Sequence, residues 1–184
     1  MNKFLIVIIL ISTIFSQSFK DLTERPTYNP IKIEKPIIFD GAVDNQEWSK
    51  AQIATNFNGS GTFQGQPSDL RTEARLFYDE KNIYVGFIAY VDKEDLRYSI
   101  TKRDNLDEKD DRVWINIDAF DDEALTYGIG VSAGGVQIDG RATYGFDKSL
   151  DLIYESKVSV YDDRYEAELI LSLIHISEPT RHLF

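Results

Sequence analysis

The sequence predicts an all-β fold, an antiparallel β-sandwich of the immunoglobulin or jelly-roll kind with one short helix near Trp48. Three observations lead to this prediction. Short segments in which apolar and polar residues alternate recur along the chain, and turn-forming residues separate them. Helical periodicity is confined to one window of a few residues. Aromatic residues, which favour strands, are plentiful, with 10 Tyr and 11 Phe.

The N-terminus has the pattern of a secretory signal peptide over residues 1–18. Lys3 gives a positive start, an apolar run of about 12 residues follows, and small residues surround Ser16. This run is shorter than the ~20 residues that a membrane-spanning helix needs, with an uncleaved anchor as the alternative. We therefore expect export to the periplasm, the outer membrane or the extracellular space. The sequence contains no cysteine, which excludes disulfides and a lipid-modified N-terminal cysteine.

The first elements after the signal are a lead-in, a helical turn and a hairpin. Residues 19–30 contain two prolines and no periodicity, which predicts a flexible lead-in to a domain over residues 31–170. A short helix is predicted from Asp44 to Ala51, because Asp44 as N-cap and Glu47 three residues later form a capping box. The alternation over 74–78 and 83–90, with a turn between them, predicts a β-hairpin.

The sequence of the second half of the domain predicts further strands. Alternation over 113–118 and 127–131 indicates two strands with one buried face each. A glycine turn at 133–135 leads into a strand over 136–139. A closing hairpin is predicted from 157–161 and 165–169, which flank a tight turn at Asp162 and Asp163.

Residues 171–184 resemble one reading frame through a sequencing adaptor, so we predict a non-native tail there, with a native strand and tail as the alternative. Both histidines of the chain, His175 and His182, lie in this tail. We therefore base no catalytic or metal site on histidine. We also expect the natural chain to continue into a C-terminal domain.

The charge of the chain excludes one class of partner. The sequence has 31 acidic against 20 basic residues, a net charge of −11. Such a surface repels phosphate backbones, so we expect no binding to nucleic acid.

Several segments together resemble the family 9 carbohydrate-binding modules. They are residues 36–48, with an apolar strand, Asp-Gly and a Trp, and residues 72–79, 83–87 and 110–118. Residues 101–104 and 131–140 are more narrowly similar to a bacterial envelope subfamily, in which the module precedes a domain resembling an outer-membrane β-barrel. The resemblance implies that the domain binds a polysaccharide and takes part in carbohydrate catabolism, with calcium as the metal. It also implies a location in the envelope of a Gram-negative bacterium and a packing role for Trp48. It ends at Leu171, where the family pattern has a proline.

A calcium site is expected among acidic residues that flank one strand. Carboxylate oxygens from two adjacent loops are the ligands that Ca²⁺ prefers. The spacing is not that of an EF-hand, and solvated acidic loops are the alternative. The candidate ligands are Asp104, Asp107, Asp110, Asp111, Asp118 and Asp121, with Asp122 beside them.

A sugar site needs flat apolar rings surrounded by planar hydrogen-bonding groups. The candidate residues are Tyr98, Arg103, Trp114, Asn116, Arg141, Tyr144 and Phe146. Trp114 points opposite to Val113, so it faces either a ligand groove or a second core layer.

Three functions compete at this point. The first is a non-catalytic carbohydrate-binding module of an exported envelope protein. The second is a periplasmic interaction or plug domain of an outer-membrane barrel protein. The third is a glycoside hydrolase that uses a carboxylate pair such as Asp110 and Asp118. Without the tail the sequence has no Ser/His/Asp set, so we do not expect an enzyme.

Overall fold

The computed structural model describes residues 27–58, 65–119, 121, 125–143 and 145–174. In these ranges the strands form two sheets, and the predicted sandwich is confirmed. No helix in this part of the chain is long and apolar enough to cross a membrane. The strands are β1 Ile31–Lys32, β2 Thr72–Tyr78, β3 Asn82–Tyr90, β4 Arg112–Ile117, β5 Thr126–Ser132, β6 Gln137–Ala142, β7 Phe146–Asp147, β8 Tyr154–Val160 and β9 Arg164–Ser172.

The larger sheet has the strand order β1-β2-β3-β9-β8. The β2–β3 pair is the first predicted hairpin and the β8–β9 pair is the closing one. Strand β1 is the exception to antiparallel pairing, since it runs parallel to β2. The turn between β2 and β3 is organised by Asp79, whose Oδ1 accepts hydrogen bonds from Lys81 N and Asn82 N at 2.7 Å each.

The smaller sheet has the strand order β4-β5-β6-β7, and its alternation follows the prediction. Tyr127, Ile129 and Val131 of β5 are buried in the core between the sheets. Gly128 and Gly130 therefore lie on the opposite face of the same strand. Tyr154 of β8 ties this sheet to the larger one, because its hydroxyl donates to Gly130 O at 2.7 Å and accepts from Ile138 N at 3.0 Å.

The predicted helix over 44–51 is reduced to a single 3-10 turn, Trp48–Lys50. The predicted capping box does not form, which corrects the assignment of Asp44 as N-cap. Instead Asn45 Oδ1 accepts from Glu47 N at 3.0 Å and from Trp48 N at 3.3 Å. The Asp44 carboxylate lies 3.6 Å from the Arg164 guanidinium, so it is drawn away from the turn.

Trp48 packs on the outer side of the larger sheet. Its side chain is fully buried, and its ring stacks on Phe77 with centroids 5.1 Å apart. Its indole Nε1 donates to Glu168 Oε1 at 2.9 Å. This agrees with the packing role expected for Trp48.

Two buried carboxylates of β9 hold the loop that carries Trp48. Glu168 Oε2 accepts from Asp40 N at 2.9 Å and Gly41 N at 2.6 Å. Glu166 Oε2 accepts from Val43 N at 2.6 Å, and the next amide of the loop also donates to it. We call this arrangement the glutamate clamp; it gives the loop amides the acceptors that a strand would otherwise provide.

Both ends of the described chain pack onto the larger sheet. The Tyr28 hydroxyl, at the end of the predicted flexible lead-in, accepts from Leu76 N at 2.9 Å. Strand β9 continues through Ser172, so the predicted domain boundary at residue 170 lies within a strand. Leu171 is fully buried and pairs with Ile83 and Tyr154. The origin of residues 171–184 stays a prediction, and the signal peptide, His175 and His182 lie outside the described residues.

Candidate functional site

The outer face of the smaller sheet brings together three of the predicted ligand-binding residues. Trp114 and Asn116 lie on this face of β4, opposite Gly130 and Gly128 of β5. Gly140 of β6 is opposite Gly128 in turn, and Phe146 of β7 is opposite Ala142. We call this surface the aromatic face; it consists of Trp114, Asn116, Phe146, Gly128, Gly130 and Gly140.

The three glycines let the aromatic rings lie against the sheet. A Cβ atom at Gly128 would lie 2.0 Å from Trp114 Cζ2, and one at Gly130 would lie 2.6 Å from Trp114 Cε3. A Cβ atom at Gly140 would lie 2.6 Å from Phe146 Cζ. Because real Cβ contacts are longer than this, any larger residue would lift a ring off the sheet.

The two rings form a shallow platform with a polar neighbour. Their centroids are 5.6 Å apart and their planes are tilted by 58°. Trp114 Nε1 donates to Asn116 Oδ1 at 2.7 Å, and Asn116 is an exposed residue. Phe146 is 46% exposed. Trp114 therefore faces away from the core between the sheets, which answers the question that the sequence left open.

The other predicted ligand-binding residues lie elsewhere. Arg103 donates to Asp139 Oδ1 and to Gln137 Oε1, the latter at 3.1 Å, as well as to a backbone carbonyl. Arg141 pairs with Asp147 at 3.1 Å, in register with the buried Tyr127 and so on the other face of the sheet. Tyr98 packs against Gly134 in the β5–β6 turn, and Tyr144 lies outside the described residues.

Arg103 holds an acidic cluster that the sequence did not reveal. Asp104, Asp139 and Asp151 place a carboxylate oxygen each within 4.8 Å of one another. Arg103 contacts all three, with Asp104 at 3.7 Å and Asp151 at 3.8 Å. Burial raises the pKa of Asp139, although the hydrogen bonds from Leu152 N and Arg103 oppose it. In this structure the Arg103 guanidinium supplies the positive charge that faces these carboxylates.

The remaining predicted calcium ligands do not converge in the described part of the chain. Asp110 accepts from the Ser99 hydroxyl at 3.1 Å and from Asp107 N at 3.2 Å, so both its oxygens are used. Asp111 Oδ2 accepts from Arg97 N at 2.8 Å. Asp118 follows β4, Asp121 is exposed, and Asp122 lies outside the described residues. Calcium binding stays a prediction.

Asp110 and Asp118, the carboxylate pair considered for a glycoside hydrolase, lie too far apart for that role. Asp110 precedes strand β4 and Asp118 follows it. The strand Arg112–Ile117 alone is five residue steps long, roughly 16 Å at ~3.3 Å per step, and the two aspartates lie beyond its two ends. Glycosidases place their two carboxyl groups about 5–10 Å apart. Asp110 and Asp118 therefore cannot act on one glycosidic bond.

A cleft at one end of the sandwich is a further concave feature, with a volume of about 580 Å³. Its lining is mostly charged, and Asp92, Asp95 and Asp163 come from loops distant in the sequence. Tyr90 is its aromatic residue, and the Arg71 guanidinium lies 4.6 Å from the centre of that ring. Because the Arg71 guanidinium covers the face of the Tyr90 ring, the cleft offers a sugar a weaker stacking surface than the aromatic face does.

Comparison with known proteins supplies the family. Residues 38–181 match the model of the carbohydrate family 9 binding domain-like family. The chain belongs to this family. The match extends past residue 170, the boundary that the adaptor resemblance predicts. No curated protein sequence matches the chain.

Solved structures share the fold of this family 9 domain. A family 9 carbohydrate-binding module from Caldicellulosiruptor kristjanssonii in complex with cellotriose has a TM-score of 0.55 and 18% identity, over 80% of this chain and 68% of that one. Its complex with glucose gives the same values, with 69% of that chain covered. A putative carbohydrate-binding protein from Bacteroides uniformis has a TM-score of 0.59 and 8% identity, over 78% of this chain and 71% of that one.

Proposed function

We propose that this family 9 domain is a non-catalytic carbohydrate-binding module that binds a sugar chain on the aromatic face. The observation that carries the proposal is the pair of rings, Trp114 and Phe146, held against three outward-facing glycines of the sheet. A pyranose ring presents C–H groups on its face, and these pack favourably on an exposed aromatic surface. The Asn116 amide lies beside Trp114 to bond a sugar hydroxyl.

The separation of the rings limits how much sugar they can contact. With centroids 5.6 Å apart and planes at 58°, the rings contact one sugar residue together rather than two in succession. Such a shallow contact buries little area, so we expect a Kd in the roughly millimolar range.

Titration calorimetry with cellotetraose and xylotetraose tests this proposal. The wild-type chain should bind at least one of these sugars, and Trp114→Ala should abolish the heat of binding. The matched control is Phe57→Ala, which removes an exposed ring from the loop before β2. Silence of the wild type at millimolar ligand, or full binding by Trp114→Ala, would contradict the proposal. Silence would favour the interaction or plug domain, and released reducing sugar would favour the hydrolase.

The wider context of the protein also belongs to this proposal. The signal-like N-terminus supports an exported protein, and the envelope resemblance supports an outer-membrane partner domain in carbohydrate catabolism. Fractionation of cells that express the full-length gene tests the location. Recovery of the chain in the cytoplasm would contradict it.

A further inference from the structure

We propose that the aromatic face includes a subsite for the carboxylate of a uronic acid residue, with Arg112 as the group that binds it. The inference rests on the proposed sugar binding and adds the class of sugar. It starts from the position of Arg112, the charges around it and the geometry of its side chain.

Arg112 lies on the same face of β4 as Trp114, because residues two apart in a strand project to the same side. The two Cα atoms are about 7 Å apart. When its long hydrogen bond to the Asp107 carbonyl is released, the flexible side chain is long enough for its guanidinium to reach the C6 substituent of a pyranose stacked on Trp114. Arg112 is exposed, and Ser132 lies opposite it in the register of β4 and β5.

Arg112 has no carboxylate partner within 4.0 Å among the described residues, although the chain has 31 acidic residues. Its one described polar contact is a long hydrogen bond of 3.4 Å from Nη1 to the carbonyl oxygen of Asp107. Arg103 and Arg141, the other predicted sugar-binding arginines, are both held by aspartates. Arg112 can therefore take a carboxylate from a ligand without first losing one of the protein.

Among the described residues of β5 and β6, no acidic side chain lies next to Trp114 on this face. The outward residues of β5 and β6 next to it are Gly128, Gly130, Ile138 and Gly140. The net charge of −11 repels anions, but salt at physiological ionic strength screens the repulsion from charges more than about 8 Å away. The acidic residues of the loop before Arg112 include Asp107, Asp110 and Asp111, and the carboxylates of these three accept hydrogen bonds from backbone amides. They reduce the gain that the guanidinium gives a bound carboxylate, and none of them forms an ion pair with it.

The chemistry of arginine favours a carboxylate over a neutral hydroxymethyl group. Its planar fork matches the two carboxylate oxygens with two parallel hydrogen bonds. For an exposed pair we expect a modest gain, about three- to tenfold in affinity. This gain should decrease as salt is added.

Three tetrasaccharides with the same β-1,4 backbone test the subsite in the full chain. They are cellotetraose, its C6-oxidised counterpart tetraglucuronate, and the methyl ester of tetraglucuronate. The wild type at low salt should bind the uronate three- to tenfold more tightly than the ester. Arg112→Gln should remove this preference and keep the affinity for cellotetraose. Lys32→Gln is the matched control, since it removes one exposed cation from the larger sheet and should change nothing.

The outcomes separate this inference from the function on which it rests. Equal affinity of the wild type for uronate and ester, with cellotetraose bound, overturns the subsite and leaves the proposed function standing. A preference for uronate that survives in Arg112→Gln also overturns it. Absence of binding by any tetrasaccharide overturns both proposals.

Discussion

Removal of Leu171 is the change whose effect the structure predicts most directly. If the chain ends at Ile170, strand β9 loses its last two residues, whereas a chain that ends at Ile174 keeps the strand complete. Leu171 is fully buried in the core between the sheets and pairs with both neighbours of β9. We therefore expect the two truncations to differ strongly in stability.

The magnitude follows from what Leu171 contributes. Truncation of a buried leucine costs about 2–5 kcal/mol. Each backbone hydrogen bond lost with the strand end adds about 0.5–1.5 kcal/mol. The free energy of unfolding should thus fall by about 3–6 kcal/mol. At ~2–4 °C per kcal/mol for a domain of this size, Tm decreases by roughly 6–24 °C.

Circular dichroism melts of the two truncated chains, with Leu171→Ala in the full chain, measure this effect. The chain that ends at Ile174 should melt like the full chain. The alanine variant should lose most of what the Ile170 truncation loses. A change of 1 kcal/mol moves Tm by ~2–4 °C. If the chain that ends at Ile170 melts within about 2 °C of the full chain, Leu171 therefore does not belong to the core.

Three further predictions concern the aromatic face, the glutamate clamp and calcium. Gly128→Ala should abolish sugar binding, as Trp114→Ala does, because the added Cβ displaces the Trp114 indole. The far-ultraviolet circular dichroism spectrum should stay native. Intact sugar binding would contradict this prediction. Burial raises the pKa of Glu168 despite its hydrogen bonds. Because this pKa is higher in the folded than in the unfolded state, protonation of Glu168 stabilises the fold. In urea titrations the wild type should therefore gain stability relative to Glu168→Gln as pH falls from 7 toward 5. A relative loss of stability would refute this. The calcium prediction requires a higher Tm in millimolar Ca²⁺ than in chelator, and equal midpoints would end it.

The sequence predicts the strands well because one face of each strand is buried. The alternation of Tyr127, Ile129 and Val131 is visible without any structure, and the sheet confirms it. The sequence predicts too long a helix near Trp48, because the capping pattern of Asp44 and Glu47 is also consistent with a tight turn. In the fold, Arg164 and the backbone of Ile38 attract these two carboxylates instead.

The candidate site could be predicted only in part. Trp114 and Asn116 are close in sequence, so a pattern on one strand is enough to find them. Arg103 looked equally suitable, but its partner Asp139 lies on another strand, and no local signal shows that the pair forms. The roles of Gly128 and Gly130 depend on a ring from the neighbouring strand, which only the sheet register supplies.

The glutamate clamp also constrains the order in which the protein folds. Asp40 and Glu168 are separated by 128 residues, and Val43 and Glu166 by 123. The loop leaves the ribosome early, but its amides have no acceptors until β9 has been synthesised and has joined the larger sheet. Contacts of such long range form late and slow folding. During synthesis Trp48 can meet Phe77 early, but its loop is not fixed by Glu166 and Glu168 until nearly the whole domain has emerged, which is the period when a chaperone would be needed.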